Sequence, residues 1–136
     1  MSRKIVKTLS ANDTGETGGH QAGILVPKDP EILSFFPGLD AKRYNPRVHL
    51  KFLDDSGVCW EFAYIYYNNA LFSGTRNEYR LTRMTKFIRQ AALVAGDELI
   101  LSLDDDRYCI EYLRKRKSKG EGKILQLGTG WRVVGI

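Results

Sequence analysis

The segment 73–80, SGTRNEYR, carries two side chains that can read a base pair. Arg76 can donate two hydrogen bonds to O6 and N7 of guanine, and Glu78 can accept one from N4 of the paired cytosine. The sugar-phosphate backbone, where contacts set register rather than sequence, can be held by the neighbouring Thr75, Asn77, Tyr79 and Arg80. The same residues also fit a surface hairpin with an Arg–Glu ion pair, which contributes little to stability. Composition alone favours neither interpretation.

A second polar stretch lies near the amino terminus, in residues 9–27, LSANDTGETGGHQAGILVP. Between Leu9 and Ala22 there is hardly an apolar side chain, so this stretch cannot fill a core. Nor does it have the composition of a Gly/Ser linker. Polar, glycine-hinged segments of this kind usually bind something outside the fold. We expect it to contact DNA bases through its larger hydrogen-bonding residues, which are Asn12, Asp13, Glu16, His20 and Gln21.

Motifs for catalysis are weaker than these two segments. Metal-dependent nucleases use an acid-x-Lys pattern, which Asp40–Lys42 and Glu121–Lys123 match, but three-residue matches are common by chance. His49 belongs to an alternating strand pattern, and His20 has no cysteines near it with zinc-ligand spacing. The phosphate-binding pattern GxxxxGK[ST] is absent. A small Mg²⁺-dependent nuclease therefore stays open only as an alternative, and we expect no catalytic residue, metal or cofactor.

Charge is segregated along the chain, whose net charge is +5. Residues 1–71 are neutral, residues 72–90 carry +4, residues 91–113 carry −5, and residues 114–136 carry +6. This distribution favours a polyanion on one face, with acidic side chains directing it away from another. A solvated surface without a partner, or non-specific nucleic-acid binding through the 114–119 run, remains the alternative.

Size and composition indicate one folded domain of 136 residues, 43% of them hydrophobic. No apolar run approaches the roughly 18 residues that a membrane helix needs. The amino terminus, MSRKIVKTLS, lacks the apolar stretch of a secretory signal, so we expect a cytoplasmic protein. Cys59 and Cys109 are isolated in apolar strands, and we expect both to be reduced core residues.

The hydrophobic pattern is mostly β, with two short helices. Helices are predicted at 29–36, where Asp29 can cap, and within 81–96, ending at Gly96. A hairpin turn is predicted at 54–57. Predicted strands cover residues 3–9, 47–53, 58–67, 97–103, 106–113, 123–128 and 131–135. Short strands with two small helices favour a partly open β-barrel from which the two polar segments project as loops.

The two polar segments also resemble a known family. KTLSANDTGETGGHQAGILVP, IYYNNALFSGTRNEYRLTRM and the intervening Asn45-Pro46 are similar to the N-terminal effector domain of EcoRII-type restriction endonucleases. The stretch LTRMTKFIRQAALVAGDELIL also resembles the DNA-binding pseudobarrel of plant auxin- and abscisic-acid-response transcription factors. In the last third of the chain the likeness is confined to the strand pattern.

The resemblance implies a seven-stranded open β-pseudobarrel whose two arms grip the major groove of double-stranded DNA. The N-arm corresponds to Ser10–Gln21 and the C-arm to Asn69–Arg83. In this family the domain binds 5′-CCWGG without cutting it and acts as an effector site for a separate nuclease domain. The resemblance thus implies a monomeric DNA-recognition module, with a nuclease domain that is missing from these residues or separate from them.

The family's DNA-contacting positions fall on matching residue types at Lys7, His20, Arg76, Glu78 and Arg80. Two lysines of the family pattern are replaced here, by Gly74 and Tyr79, which predicts weaker phosphate binding unless the basic run 114–119 compensates. The expected base-reading residues are Arg76, Glu78, His20, Gln21, Asn12, Asp13 and Asn77. The expected phosphate-binding residues are Lys7, Arg80, Tyr79, Thr75, Arg83, Lys115 and Lys117.

Overall fold

The structure is a computed structural model that describes residues 2–15, 23–115 and 130–134. Within these ranges it contains eight strands and three short α-helices. The strands are β1 (Ser2–Thr8), β2 (Ile24–Val26), β3 (Arg47–Asp54), β4 (Cys59–Tyr67), β5 (Glu78–Thr82), β6 (Glu98–Asp104), β7 (Arg107–Leu113) and β8 (Trp131–Val134). The helices are α1 (Ala11–Thr14), α2 (Pro30–Leu33) and α3 (Thr85–Gln90).

All eight strands form one sheet in the order β2-β5-β4-β3-β7-β6-β1-β8. Neighbouring strands are antiparallel except β3 and β7, which run parallel. The sheet curls into an open half-barrel, as the sequence predicts, although it has eight strands where seven were expected. The count differs because two observed strands, β2 and β5, were not predicted, and one predicted strand, at 123–128, lies outside the described residues. No helix within the described ranges is long and apolar enough to cross a membrane.

The core is formed mainly by the inward faces of the central strands. Leu50 and Phe52 alternate inward along β3, and Phe62 and Tyr64 of β4 are buried beside them. This confirms the alternation expected for residues 47–53. The helix α2 closes one side, where the ring of Phe36 stacks on Tyr64 with centroids 4.4 Å apart. Large aromatic side chains thus hold the strands that carry the C-arm.

Both predicted helices are present and both are shorter than expected, since α2 covers Pro30–Leu33 of the predicted 29–36. Asp29 caps α2 by accepting a hydrogen bond from the N–H of Glu31 at 3.0 Å. The helix α3 ends at Gln90 rather than at Gly96. The chain leaves the helical conformation at Ala92, whose φ of 55° is left-handed. Ala91 and Ala92 favour a helix, so the sequence pattern does not indicate that α3 ends at Gln90.

Three further details differ from the sequence interpretation. The segments Ile24–Val26 and Glu78–Thr82, which were read as connections, pair with each other as β2 and β5. Cys59 is exposed and Cys109 half-buried, so the expectation that both are core residues is wrong. Cys59 opens β4 beside the hairpin turn, where the strand has not yet entered the core. The strand predicted at 123–128 lies outside the described residues.

Candidate nucleic-acid interface

The first two residues of the C-arm, Asn69 and Ala70, form hydrogen bonds with the backbone of Arg76 and so close the loop between them. The side-chain oxygen of Asn69 accepts a hydrogen bond from the backbone N–H of Arg76 at 2.6 Å. The backbone N–H of Ala70 in turn donates to the carbonyl of Arg76 at 2.9 Å. Ser73 adopts a left-handed φ of 75° at the bend between them. These contacts fix the backbone of Arg76 relative to the end of β4.

Three charged side chains meet at the start of β5. Glu78 accepts hydrogen bonds through Oε2 from Arg76 Nη2 and from Arg80 Nε, each at 2.7 Å. Glu78 and Arg80 are two residues apart and therefore share one face of the strand. The side chains of Arg76, Glu78 and Arg80 are 39%, 28% and 19% exposed. We call these three residues the charged triad; it is ordered by its own contacts yet open to solvent.

The ionisation of Glu78 is controlled by its two arginines. Partial burial raises the pKa of Glu78, but the hydrogen bonds and positive charges of Arg76 and Arg80 outweigh that effect and hold the pKa below its usual range. The carboxylate is therefore charged at neutral pH and acts only as an acceptor. The triad has a net charge of +1 and combines donors with an acceptor in one patch.

Aromatic side chains of β4 support the triad from beneath. The guanidinium of Arg76 lies over the ring of Tyr67 at 4.0 Å from its centroid, a cation–π contact. On the opposite face, Tyr79 stacks on Tyr66 with centroids 4.2 Å apart. The hydroxyl of Tyr66 donates to Asn77 Oδ1 at 2.7 Å. Burial and the neighbouring Tyr66 raise the pKa of Tyr79, so its hydroxyl stays protonated at neutral pH.

Arg80 connects the triad to the strand that follows the N-arm. Its Nη1 donates to the carbonyl of Gly23 at 3.0 Å. Gly23 has a φ of +90°, and a Cβ atom there would lie 2.5 Å from the carbonyl oxygen of Leu81. Only glycine fits this close approach between β2 and β5 without strain. The position where the chain leaves the N-arm is thus tied directly to the C-arm.

The described part of the N-arm begins with a tightly held turn of helix. Ser10 caps α1 by accepting from the N–H of Asp13, whose carboxylate accepts from the N–H of Ser10 in return. Such a capping box fixes where the helix starts. Asp13 also pairs with Lys7, with Nζ 3.3 Å from Oδ2 and both side chains 9% exposed. Lys7 and Asp13 are therefore buried at the start of the N-arm rather than exposed on its surface.

The two arms meet around one cleft of about 340 Å³. Asp13 lies on its N-arm side, and Tyr67, Arg76 and Arg83 lie on its C-arm side. Arg83 is exposed and adopts a left-handed φ of 67° where β5 ends. The fold thus brings Asp13 of the first polar segment and Arg76 of the second, which are 63 residues apart in sequence, to a common opening.

The expected site residues are distributed unevenly. Arg76, Glu78 and Arg80 are brought together, and the exposed Thr75 and Asn77 flank Arg76. Tyr79 lies on the opposite face of β5, where it stacks on Tyr66. Asn12 is exposed on α1. His20, Gln21 and Lys117 lie outside the described residues. Lys115 follows β7, where its backbone N–H donates to the buried Asp97 at 3.1 Å.

Sequence reasoning missed three residues that shape this interface, namely Tyr67, Asn69 and Gly23. Tyr67 belongs to the run of tyrosines at the end of β4, so a strand ending beside a basic loop was the available signal. Asn69 is the second of two asparagines that follow that strand, where asparagine side chains often close turns. The role of Gly23 depends on a long-range strand pairing, which the local sequence does not indicate.

The residues that matched a nuclease pattern have other contacts here. Asp40 Oδ1 accepts a hydrogen bond from the backbone N–H of Lys42 at 3.0 Å, so this pair forms a turn. Glu121 and Lys123 lie outside the described residues. Among the residues that the structure does describe, no group of three or more His, Cys, Asp or Glu side chains is placed to hold a metal ion.

Comparison with known proteins gives concordant sequence matches. The family described as "Restriction endonuclease EcoRII, N-terminal" matches residues 2–98. The type II restriction enzyme EcoRII of Escherichia coli is 46% identical over 81 residues, which are 57% of this chain and 20% of that enzyme. Auxin response factor 16 of Arabidopsis thaliana is 28% identical over 132 residues, covering 96% of this chain and 18% of that protein. The chain thus spans about a fifth of the length of these relatives.

A solved structure shows the same fold. The chain of an Arabidopsis FUS3–DNA complex superposes with a TM-score of 0.61 at 21% identity, covering 80% of this chain and 94% of that chain. This likeness establishes the open curled barrel independently of the sequence matches. Because the family match spans residues 2–98, the chain belongs to the EcoRII N-terminal domain family.

Proposed function

We propose that this chain is a sequence-specific double-stranded DNA recognition module that forms one domain over residues 1–136. It reads 5′-CCWGG, or a closely related G/C-rich site, through the major groove. It serves as an effector or targeting domain for a type II restriction endonuclease whose catalytic residues lie elsewhere. The single observation that carries this proposal is the charged triad at the start of β5, supported by the family match.

The triad provides the hydrogen-bonding groups that a G·C pair requires. Glu78 holds Arg76 through one terminal nitrogen, which leaves other N–H donors of the guanidinium for O6 and N7 of guanine. Both arginines bind Oε2 of Glu78, which leaves Oε1 to accept from N4 of cytosine. A carboxylate beside phosphates is unfavourable unless it meets a donor, so Glu78 favours base reading over general polyanion binding.

The triad is also arranged in advance of binding. The bonds from Asn69 fix the backbone of Arg76, and the ring of Tyr67 holds its guanidinium. Side chains that are already ordered lose less conformational freedom when a ligand binds. We expect the arm to read DNA with little rearrangement of β5.

The remaining residues take supporting roles in this proposal. Exposed residues next to the triad, Thr75, Asn77 and Arg83, contact phosphates or base edges, and Arg80 contacts phosphates. Tyr79, whose ring packs on the opposite face of β5, reaches a phosphate only through its hydroxyl. The buried pair Lys7–Asp13 orients the N-arm, so that Asn12, His20 and Gln21 reach the bases from the other side. Lys115 and Lys117 neutralise phosphates farther along the duplex.

The alternatives make different predictions. A small Mg²⁺-dependent nuclease would cleave DNA by itself, but Asp40 is engaged in a turn. A non-specific nucleic-acid-binding protein would bind every duplex alike and would not depend on Arg76. The ordered pairing of Arg76 with Glu78 favours the sequence-specific function.

The test is a titration of the purified protein, wild type and Arg76→Ala, against a CCWGG duplex and a scrambled duplex at physiological salt without Mg²⁺. We expect the wild type to prefer CCWGG and the variant to lose most of that preference, by about 1–3 kcal/mol per bidentate contact. Lys51→Ala, an exposed cation of β3, is the matched control and should behave as wild type. Equal binding of both duplexes by the wild type would refute the proposed target.

A further inference from the structure

A second basic surface lies beside the C-arm, in the turn of residues 41–47, AKRYNPR. Lys42, Arg43 and Arg47 give this turn three positive charges, with no acidic residue among the seven. All three side chains are exposed. The neighbouring carboxylate of Asp40 accepts from the backbone N–H of Lys42 and so shapes the turn. No ion pair within the described ranges joins these cations to an acidic side chain.

The turn is fastened to the base of the C-arm by a buried asparagine. The side-chain amide of Asn68 donates to the carbonyls of Ala41 at 3.0 Å and Arg43 at 2.7 Å. Its oxygen accepts from the N–H of Asn45 at 2.7 Å, and Asn45 accepts from the N–H of Asn68 in return. Asn68 is 0% exposed, and these hydrogen bonds use both polar atoms of its buried side chain.

The connection continues directly to the charged triad. Asn69, the next residue, holds the backbone of Arg76 through its side chain. Two consecutive asparagines therefore fix the basic turn on one side and the loop of Arg76 on the other. On the surface, the ring of Tyr44 meets that of Phe72 edge to face, with centroids 5.6 Å apart. The turn and the C-arm thus present one continuous surface.

We propose that residues 41–47 form a third DNA-contacting element, which binds the phosphates flanking the base pairs opposite the C-arm. This inference rests on the proposed function. Exposed cations without acidic partners gain most from phosphates, because each contact releases condensed counterions. The carbonyl contacts of Asn68 hold the backbone of the turn in place while the long side chains of Lys42 and Arg43 remain free to reach the duplex. The element also supplies positive charge where Gly74 and Tyr79 replace lysines of the family pattern.

The test measures the salt dependence of binding for wild type and for Lys42→Gln/Arg43→Gln. Both changes lie on exposed side chains, and the hydrogen bonds of these two residues are made by their backbones, so folding should be unaffected. The matched control is Lys51→Gln/Arg107→Gln, which removes the same charge from exposed residues beside Asp104–Asp106. Two duplexes with the same CCWGG centre are used, one with long flanks and one trimmed close to the centre.

For the long duplex we expect the slope of log K against log salt to become shallower by about 1.8, which corresponds to two lost phosphate contacts. Affinity at low salt should fall by about tenfold, while the ratio of specific to scrambled binding stays unchanged. On the trimmed duplex the variant and the wild type should bind alike, and the control should match the wild type on both. An unchanged slope on the long duplex, or an equal loss in the control, would overturn the inference.

Failure of this inference is distinguishable from failure of the proposed function. If the wild type shows no preference for any sequence but the variant still lowers the slope, the basic turn contacts DNA although the target is wrong. The opposite result is that the preference for CCWGG depends on Arg76 but the Lys42→Gln/Arg43→Gln variant keeps the wild-type slope of log K against log salt. In that case the proposed target is supported and the contact through residues 41–47 is refuted.

Discussion

The two arms hold their charged residues in opposite ways. At the start of the N-arm, Lys7 and Asp13 pair at 3.3 Å with both side chains 9% exposed, and Asp13 is further committed to the cap of α1. In the C-arm, Arg76 and Glu78 pair at 2.7 Å but remain 39% and 28% exposed. The Lys7–Asp13 pair is therefore buried inside the protein, whereas the Arg76–Glu78 pair lies on its surface.

This difference separates support from recognition. A buried pair cannot reach a ligand unless its own contacts break, and removing one partner leaves an uncompensated charge. A partly exposed pair can replace its hydrogen bonds to water with hydrogen bonds to a base, while the ion pair between its two members remains intact. We therefore expect changes at the N-arm pair to affect stability first, and changes at the C-arm triad to affect discrimination between sequences first.

The largest expected effect is that of Asp13→Ala. The substitution leaves the buried Lys7 ammonium without its carboxylate and removes half of the capping box, so we expect unfolding free energy to fall by about 3–5 kcal/mol. Urea denaturation followed by fluorescence of the two tryptophans measures it. Lys4→Ala, which removes an exposed charge from β1, is the control. A loss below about 1 kcal/mol would show that the pair does not hold the N-arm.

The next effect is expected at the connection between the arms. Gly23→Ala places a Cβ atom 2.5 Å from the carbonyl oxygen of Leu81 at a φ of +90°. Left-handed strain and the backbone clash together should reduce stability by about 2–4 kcal/mol. Gly57→Ala is a matched control, because Gly57 has a φ of +91° with open space around it. Equal losses in both variants would mean that strain alone, and not close strand packing, governs Gly23.

At the triad, Glu78→Gln should act on specificity rather than on stability. The amide has one acceptor oxygen where the carboxylate has two, so it cannot accept both from the arginines and from cytosine N4, and discrimination should fall by about 1–3 kcal/mol. Because a negative charge disappears, binding to a scrambled duplex should increase. Competition titrations with both duplexes measure the ratio. A uniform loss of affinity for both duplexes would instead indicate that Glu78 only orders its arginines.

The pH dependence of stability sharpens the same comparison. The folded pKa of Glu78 is depressed, so its stabilising contribution is present above the ordinary value of 4.5 and is lost as pH falls through the lower folded pKa. The difference in unfolding free energy between the wild type and Glu78→Gln should therefore be constant from neutral pH down to about pH 4.5. Below that pH the difference should decrease. A difference that changes near pH 7 would contradict the contacts of Arg76 and Arg80 with this carboxylate.

The smallest expected effect is that of Tyr66→Phe. It removes the hydrogen bond to Asn77 but leaves the ring stacked on Tyr79, so stability should fall by only about 1 kcal/mol. Thermal unfolding measures this change. Loss of the ring stack, tested by Tyr66→Leu, should have a larger effect on stability. If both variants are equal, the hydroxyl alone supports the C-arm.

Much of the central sheet could be predicted because its sequence signals are local. The alternation of Val48, Leu50 and Phe52 reports one buried face, and the aromatic run of β4 reports a strand buried on both faces. The helix cap at Asp29 could likewise be predicted, because an aspartate followed by a proline is a common helix start. The charged pair of Arg76 and Glu78 could also be anticipated, since residues two apart in an extended chain share a face.

What could not be predicted depends on contacts between distant segments. β2 has only three residues and becomes a strand because β5 offers it a partner. Asp13 was expected to read bases, and that expectation is untested; its burial follows from Lys7 on β1, which the N-arm sequence does not reveal. The box Ser10–Asp13 was, however, visible in the sequence as a helix start. It was overlooked because the segment contains so few apolar residues.

The central claim is that Arg76 reads guanine in the major groove, and one measurement addresses it directly. Each guanine of CCWGG is replaced in turn by 7-deazaguanine, which removes the N7 acceptor but keeps base pairing, and binding is measured for wild type and Arg76→Ala. We expect one of these substitutions to weaken wild-type binding by about tenfold and to have no further effect in the variant. Equal losses in both proteins at every guanine would contradict it.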